Sequence, residues 1–262
     1  MSANRRDFLK IAGTSALTLL TPAVLLPAWA KEKIFPVGQL PNAVSPASAL
    51  TAKRWAMAVD PSKCPPGCTD CIAACHAIHN VPAFGNPKDE IKWIWQAPFA
   101  AVFPVEAHAY QGQAVRNMRV PVFCNHCADP PCVRVCPTKA TFQRPDGIVM
   151  MDYHRCIGCR LCMAACPYGA RSMNFRDPRP FIGHINPDFP TRTKGVVEKC
   201  NFCEERLAKG LLPACVEACK QNALVFGDVE NPRSEIRLLI EKRFNLRRKA
   251  HLGTAPQIYY IL

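Results

Sequence analysis

Residues 156–167 read Cys156-Ile157-Gly158-Cys159-Arg160-Leu161-Cys162-Met163-Ala164-Ala165-Cys166-Pro167. Its spacing, C-x2-C-x2-C-x3-C-P, is that of bacterial ferredoxins. Three thiolates spaced two residues apart on a tight loop can surround one face of a [4Fe–4S] cubane. The fourth thiolate, at the start of a short helix, points away and ligates a neighbouring cluster, so such runs work in pairs. The stretch therefore predicts at least one further cysteine run.

The chain of 262 residues contains 16 cysteines, which fall into four quartets with none left over. The second and third quartets are each followed by a proline, and the fourth carries a long insertion between its two middle cysteines. The quartets, in chain order, are Cys64, Cys68, Cys71 and Cys75; Cys124, Cys127, Cys132 and Cys136; Cys156, Cys159, Cys162 and Cys166; and Cys200, Cys203, Cys215 and Cys219. We predict four [4Fe–4S] clusters, with these sixteen cysteines as the iron ligands and no catalytic residue.

Other uses of cysteine fit less well. Structural disulfides between neighbours two residues apart are poor, and a chain of this length does not need such stapling. Covalent haem requires C-x-x-C-H, whereas Cys71 to His76 has one residue too many. Zinc remains an alternative for the fourth quartet, which taken alone resembles a C-x2-C…C-x3-C zinc site.

The net charge of +13 is interpreted together with the cysteines, because clusters bound by thiolates are anionic. An oxidised [4Fe–4S] core bound by four thiolates carries about −2, so four clusters and loss of the first 30 residues would leave roughly +3. The basic composition therefore compensates for anionic clusters. No basic and aromatic stripe accompanies it, and we expect no nucleic acid among the partners.

Residues 1–30 resemble an export signal. Asn4-Arg5-Arg6-Asp7-Phe8-Leu9-Lys10 is similar to a twin-arginine motif, and an apolar run to Leu26 and Ala28-Trp29-Ala30 follow it. The apolar run is short and interrupted, which disfavours a membrane anchor. A twin-arginine signal would place the folded chain on the periplasmic, or outer, face of the cytoplasmic membrane. The mature chain is expected to begin near Lys31.

Short β-rich runs alternate with the quartets and indicate an α+β fold. Trp55 to Val59 precedes the first quartet, a hairpin around Pro145-Asp146-Gly147 joins the second and third, and Ala223 to Gly227 follows the fourth. Asn231-Pro232 is expected to open a helix that runs to Arg243. The order predicts tandem two-cluster ferredoxin-like modules, one inserted in the other, with long loops.

This organisation divides the chain into four parts. Residues 1–30 are the signal, residues 31–119 an arm with the first quartet and an insert, and residues 120–176 the central module. Residues 177–262 hold the fourth quartet, which pairs with the first, and a C-terminal helix and tail. Aromatic residues of the insert are expected to form a local core, with partner docking as the alternative; they are Trp93, Trp95, Phe99 and Phe103.

Charged residues beside the quartets have two possible roles, tuning of cluster potentials or simple solvation. The basic residues concerned are Arg134, Lys139, Arg155, Arg160, Arg171 and Lys199. The histidines His76, His79 and His126 are expected to support the clusters or lie at the surface, because cysteines fill every ligand position. A further basic run, Lys242 to Lys249, is expected to be a solvated helix face or a docking patch.

The chain resembles the iron–sulfur electron-transfer subunits of bacterial respiratory complexes. These include the small subunits of DMSO, polysulfide and tetrathionate reductases and the NrfC-type proteins. The resemblance rests on the four quartets, on Cys124-Asn125-His126-Cys127, on Lys199-Cys200-Asn201-Phe202-Cys203 and on the tail Leu252 to Tyr260. Within the family, the signal, His76 to Pro82 and Asn186 to Gly195 are most similar to DsrO-type periplasmic subunits of the DsrMKJOP complex of sulfur metabolism.

The resemblance implies an electron-transfer subunit and not an enzyme. It implies a quinone-interacting, integral membrane partner of the NrfD type (DsrP-like), with a c-type cytochrome subunit nearby, so that membrane association comes through a partner. The alternative is the equivalent subunit of a molybdopterin reductase of the polysulfide, tetrathionate or DMSO type. A self-contained enzyme is disfavoured because no nucleophile–base group or dinucleotide fingerprint is present.

The family pairing also implies ligand sets. They are Cys124, Cys127, Cys132 with Cys166; Cys156, Cys159, Cys162 with Cys136; Cys64, Cys68, Cys71 with Cys219; and Cys200, Cys203, Cys215 with Cys75. One departure concerns Cys64-Pro65-Pro66-Gly67-Cys68, which has three residues between the cysteines where the family has two. This loop either bulges and presents both thiolates, or it weakens the first cluster.

Overall fold

The computed structural model describes residues 49–262, and the sequence signal in residues 1–30 lies outside them. These residues form short strands and helices joined by long loops, an α+β arrangement as predicted. The strands are β1 (Trp55–Val59), β2 (Ile94–Pro98), β3 (Arg119–Phe123), β4 (Thr141–Gln143), β5 (Val149–Met151), β6 (Ser172–Met173), β7 (Val197–Glu198), β8 (Leu224–Asp228), β9 (Asn245–Leu246) and β10 (Ile258–Ile261). The helices are α1 (Asp70–Ile78), α2 (Phe99–Val102), α3 (Gln113–Asn117), α4 (Pro131–Arg134), α5 (Leu161–Ala164), α6 (Glu204–Leu207), α7 (Ala214–Glu217) and α8 (Glu235–Lys242).

The largest sheet has the strand order β8-β1-β10-β9. β1 pairs antiparallel with β8, so that Val59 lies opposite Leu224, and parallel with β10, so that Met57 lies opposite Ile258. Because β1 precedes the first quartet and β8 follows the fourth, this pairing brings Cys64 and Cys219 to the same end of the sheet. The sheet thus connects two quartets that are distant in sequence.

The hairpin of β4 and β5 does the same for the central quartets. Thr141 pairs with Met151 at its open end. Cys136 lies five residues before the first of these residues and Cys156 five residues after the second. An antiparallel hairpin carries both cysteines away from the turn on adjacent chains, so they meet.

The aromatic residues of the insert are mostly core. Trp93, Phe99 and Phe103 are buried, and Trp95 is half-buried against the same cluster. They pack with β1, β3 and β10 residues instead of forming a core of their own, and Phe103 meets Tyr260 edge to face. These positions are therefore core, but the prediction of a core local to the insert was wrong, because the aromatic residues join the main core of the protein.

The C-terminal helix begins later than predicted. α8 starts at Glu235, and Ser234 caps it by accepting a hydrogen bond from the Arg237 backbone N–H at 3.3 Å. Asn231 instead accepts from the Arg233 N–H in a turn before the helix. A serine whose hydroxyl reaches the third residue on is the better N-cap here, so the prediction of a start at Asn231-Pro232 was wrong. Within residues 49–262 no helix is long and apolar enough to cross a membrane.

Candidate metal centres

The structure brings the sixteen cysteines into four groups, and all sixteen are free thiols. Each group takes three cysteines from one quartet and one from another. Group 1 is Cys64, Cys68, Cys71 and Cys219; group 2 is Cys75, Cys200, Cys203 and Cys215; group 3 is Cys124, Cys127, Cys132 and Cys166; group 4 is Cys136, Cys156, Cys159 and Cys162.

Short helices and the turns after them link the groups in pairs. α1 carries Cys71 and Cys75 four residues apart, and the segment that starts with α7 carries Cys215 and Cys219 at the same spacing. Residues four apart on a helix lie on one face about 5–6 Å apart, so each helix supplies one thiol to each of two neighbouring groups. α1 and α7 pack against each other, and α4 and α5 do so for groups 3 and 4.

Group 1 surrounds a cavity of about 290 Å³ that is lined by all four of its cysteines. The unusual Pro65-Pro66-Gly67 loop closes as a turn in which the Cys68 N–H donates to the Pro65 carbonyl at 3.1 Å. Gly67 has a φ of +77°, which a glycine adopts without strain. The extra residue is therefore taken up by a turn, and both flanking thiols still line the same cavity.

Group 2 is the most enclosed, since its four cysteines are all buried. Burial, and then the charge on Cys200, Cys203 and Cys215, raises the pKa of Cys75 well above its ordinary value. The Phe202 N–H approaches the Cys200 sulfur at 3.5 Å. Phe202 stacks on His126, with 3.7 Å between the ring centroids, and so fills the space between groups 2 and 3.

The groups form a series. Cys71 of group 1 raises the pKa of Cys215 of group 2, after burial and the charges within group 2. Burial raises the pKa of Cys200 to about 12, with the next contribution from Cys124 of group 3. The pKa of Cys162 of group 4 is raised by burial and, less strongly, by Cys132 of group 3. Successive interactions thus run from group 1 through groups 2 and 3 to group 4.

Exposure varies along this series. Three cysteines of group 1 are half-buried, and Cys159 of group 4 is exposed, with the exposed side chains of Ile157 and Leu161 beside it. Group 3 has two buried and two half-buried cysteines. Both ends of the series therefore reach the surface, while group 2 lies inside.

The chemistry of the groups suits iron–sulfur clusters. Burial raises the pKa of Cys71 and of Cys127 to about 12, so bare thiolates are disfavoured at these positions. A cationic iron core reverses this preference, because thiolates are the form that binds metal. Backbone N–H groups are also directed at sulfur, as between Ala223 and Cys219 at 3.2 Å. Sixteen such donors in four groups of four fit four [4Fe–4S] clusters.

The predicted basic neighbours separate into two sets. Arg171 and Lys199 are buried, with 4% and 1% of their surface exposed. The others are exposed, near groups 3 and 4; they are Arg134, Lys139, Arg155 and Arg160. All six residues lie close to quartet cysteines in sequence, so the sequence could not separate them. Only the tertiary fold shows which charges are buried and which are solvated.

The histidines support the groups. His79 Nδ1 contacts the Cys75 carbonyl oxygen at 2.9 Å, and its Nε2 lies 2.9 Å from Glu205 Oε1. With Cys203 these two side chains form a compact set of potential metal ligands. Both nitrogens of His79 are engaged by oxygen atoms, and Cys203 belongs to group 2. The supporting role predicted for His79 is therefore consistent with its contacts, and His126, which accepts from the Val149 N–H at 3.1 Å, resembles it.

The C-terminal tail encloses group 3, which the sequence did not reveal. The N–H groups of Ala128 and Asp129 donate to the carbonyls of Ala255 and Thr254 at 2.9 and 3.1 Å. The Thr254 hydroxyl meets the Tyr168 hydroxyl at 2.5 Å. Thr254 also partly offsets the rise in the pKa of the Cys127 thiol that burial causes. The nearest signal was the resemblance of residues 252–260 to family tails.

The basic run at residues 242–249 is not a single solvated face. Arg248 is buried, with its guanidinium carbon 5.6 Å from the Tyr168 ring centre. Lys249 donates to the Pro167 carbonyl at 2.7 Å. The last two charges of the run thus pack against the third quartet, because the chain turns back toward group 3 after α8.

Four thiol groups in series, on a scaffold of small sheets and short helices, define an electron-transfer protein of the ferredoxin-like iron–sulfur class. The family described as "4Fe-4S dicluster domain" matches residues 115–178 and 186–229. The iron–sulfur subunit 1 of an Hdr-like menaquinol oxidoreductase from Archaeoglobus fulgidus is 40% identical over 98% of this chain and 97% of the relative.

Two further relatives extend this similarity. A tetrathionate reductase subunit from Salmonella typhimurium is 37% identical over 100% of this chain and 89% of the relative. A polysulfide reductase chain from Wolinella succinogenes is 34% identical over 80% of this chain and 95% of the relative. The chain belongs to the family of iron–sulfur electron-transfer subunits of oxidoreductase complexes, and it is not a catalytic subunit.

Gly158 offers a test of the group 4 loop. It has a φ of +66°, and a Cβ there would lie 2.3 Å from the Gly195 carbonyl oxygen, in a segment fixed by the Gly195 N–H donating to Asn174 at 2.8 Å. We expect G158A to lose group 4, with iron falling from about 16 to about 12 atoms per chain. Iron and acid-labile sulfide analysis measures this.

G67A is the matched control, because Gly67 also has a positive φ, but a Cβ at this position would meet nothing within 4 Å. This variant should keep its iron. Its free energy of unfolding should fall by only about 1–2 kcal/mol, because alanine is strained in the left-handed backbone conformation. Equal iron loss in both variants would show that positive φ, and not the contact with Gly195, limits the loop.

Proposed function

We propose that this chain relays electrons through four [4Fe–4S] clusters between an NrfD-like, quinone-interacting membrane subunit and other subunits of a Dsr-type sulfur-metabolism complex. The observation that carries the proposal is the series of four thiol groups, in which group 2 is buried and groups 1 and 4 reach the surface. A relay needs an entry and an exit near the surface and a protected interior. The series has this form.

The ligand sets in this proposal are groups 1 to 4. The clusters, when bound, supply one-electron redox chemistry. The chain holds each set in place through its cysteine loops, excludes water from group 2, and presents group 4 through the exposed Cys159 loop. Groups 3 and 4 form a central module of residues 120–176. This module is inserted in an outer one built from residues 31–119 and 177–262, which the pairing of β1 with β8 supports.

We assign the complex to the outer, periplasmic face of the cytoplasmic membrane, with export by the twin-arginine route of residues 1–30. The argument for export is the Arg5-Arg6 motif, and a folded cluster protein suits that route. The argument for a quinone-linked partner is the relative named as a menaquinol oxidoreductase subunit. A c-type cytochrome subunit is the further partner of the Dsr-type assignment.

A second candidate is the electron-transfer subunit of a molybdopterin reductase. It is favoured by the similarity to the tetrathionate and polysulfide reductase subunits. The two candidates share the relay and differ in the protein at the far end. Purification of the native complex distinguishes them, because only the second predicts a large molybdopterin subunit in stoichiometric amount.

The first experiment on the relay combines composition and kinetics. Anaerobically purified chain should contain about 16 iron and 16 sulfide per chain. Mixed with vesicles that contain the quinone-interacting subunit and a menaquinol analogue, it should exchange electrons with the quinone pool, seen as a change in cluster absorption. Vesicles without that subunit are the control. Full iron content with no exchange in either preparation would contradict the quinone-linked function.

A further inference from the structure

Arg171 is a buried cation beside group 3 whose polar contacts lack a carboxylate. Its Nη2 donates to the Cys132 sulfur at 3.1 Å, and its Nη1 donates to the Thr141 hydroxyl at 3.1 Å. The same Nη1 lies 3.8 Å from the Met151 sulfur. No ion pair within residues 49–262 includes Arg171.

A buried guanidinium without an anionic partner is strongly destabilising. The anionic groups that interact with it are the ligand thiolates Cys132, Cys162 and Cys124. The cation is therefore balanced by cysteine thiolates alone. Two of these belong to group 3 and one to group 4, so Arg171 lies between the two groups and is hydrogen-bonded to group 3.

The position of Arg171 affects the electron affinity of the cluster bound by group 3. Adding an electron to a cluster makes the whole unit more negative, and a fixed positive charge together with a hydrogen bond to a ligand sulfur stabilises the reduced form. The low dielectric of a buried site strengthens both effects. Lys199, the other buried cation of this region, donates to the backbone carbonyls of Val149 and Cys200 and not to a sulfur.

We propose that Arg171 is the counter-ion of the cluster bound by group 3 and raises its reduction potential, with a smaller effect on group 4 and none on group 1. This inference rests on the proposed function, because it takes groups 1 to 4 as the ligand sets. Arg171 is not an iron ligand. It acts on the cluster through its contact with Cys132, where it places a fixed positive charge. An electron in the relay is therefore more stable on the cluster of group 3 than it would be without Arg171.

The test is a potentiometric EPR titration of R171Q, which keeps hydrogen-bond donors but removes the charge. One cluster should become harder to reduce by at least tenfold in its redox equilibrium, or about 59 mV for a one-electron couple. R134Q is the matched control. Arg134 is two residues from both Cys132 and Cys136 but is 62% exposed and paired with Asp129, so all four potentials should stay unchanged.

Composition separates failure of this inference from failure of the relay. Wild-type iron well below about 16 atoms per chain would overturn the proposed function itself. Full iron in R171Q with unchanged potentials would overturn only the role of Arg171. If R171Q loses a cluster, R171K decides, since it restores the charge. Retained iron with near wild-type potentials in R171K supports the proposal, and cluster loss in R171K overturns it.

Discussion

Replacing Arg192 with leucine is expected to destabilise the protein by about 3–5 kcal/mol, because it leaves the Glu198 carboxylate buried without its cation. Arg192 Nη2 lies 2.6 Å from Glu198 Oε2, and neither side chain has exposed surface. Glu198 also accepts from Trp93 Nε1 at 2.9 Å. Urea-induced bleaching of the cluster absorption measures the loss, which should appear at a clearly lower urea concentration than in the wild type.

The size of the effect follows from what the pair connects. Arg192 donates to the backbone carbonyls of His79 and Asn80, directly after α1, at 2.5 and 2.8 Å. Glu198 lies in β7, two residues before Cys200. The pair therefore fixes the first quartet to the fourth, and its loss loosens the packing around group 2.

Two further variants separate burial from charge. R155L removes an arginine whose partner Asp152 is at 3.3 Å but whose side chain is 62% exposed, and the cost should be below about 1 kcal/mol. The double variant R192L/E198Q removes both buried charges and should recover part of the lost stability. A double variant as unstable as R192L would contradict the uncompensated charge as the cause.

Local sequence signals predicted the parts of the fold that depend on neighbouring residues. The quartet spacings fixed the loops and the short helices, because four residues of helix place two thiols on one face. The alternating run at residues 141–151 with its Pro-Asp-Gly turn gave the hairpin of β4 and β5, and Trp55–Val59 is a strand with the predicted bounds. These features need no knowledge of the rest of the chain.

Long-range pairing was beyond the sequence. β10 lies between β1 and β9 and is parallel to β1, across about two hundred residues of chain, so the Ile258–Ile261 run gives no local sign of its partner. The same limitation hid the Arg192–Glu198 pair and the contact of Thr254 with Tyr168. Spacing predicts the four cysteine quartets, and the family resemblance implies the ligand sets, whereas the surrounding charges come from segments brought together by tertiary packing.

Breaking the series at group 2 is expected to divide the relay. C215A removes a buried ligand of group 2, and iron should fall from about 16 to about 12 atoms per chain, with the other three clusters retained. Because both group 1 and group 3 interact with group 2, which links them in the series, electrons entering at one end can no longer reach the other quickly. Steady-state transfer through the chain should fall by at least about a hundredfold, since electrons would have to cross the gap left by the missing cluster.

The number of clusters reduced rapidly by the quinol identifies the end that faces the membrane subunit. In C215A, electrons that enter at group 1 should rapidly reduce only the cluster of group 1. Electrons that enter at group 4 should rapidly reduce the two clusters of groups 4 and 3. C159A, which removes an exposed ligand of group 4, is the matched control: entry at group 1 would leave three, and entry at group 4 none. Rapid reduction of all three remaining clusters in C215A would contradict a linear series, because electrons would then bypass group 2.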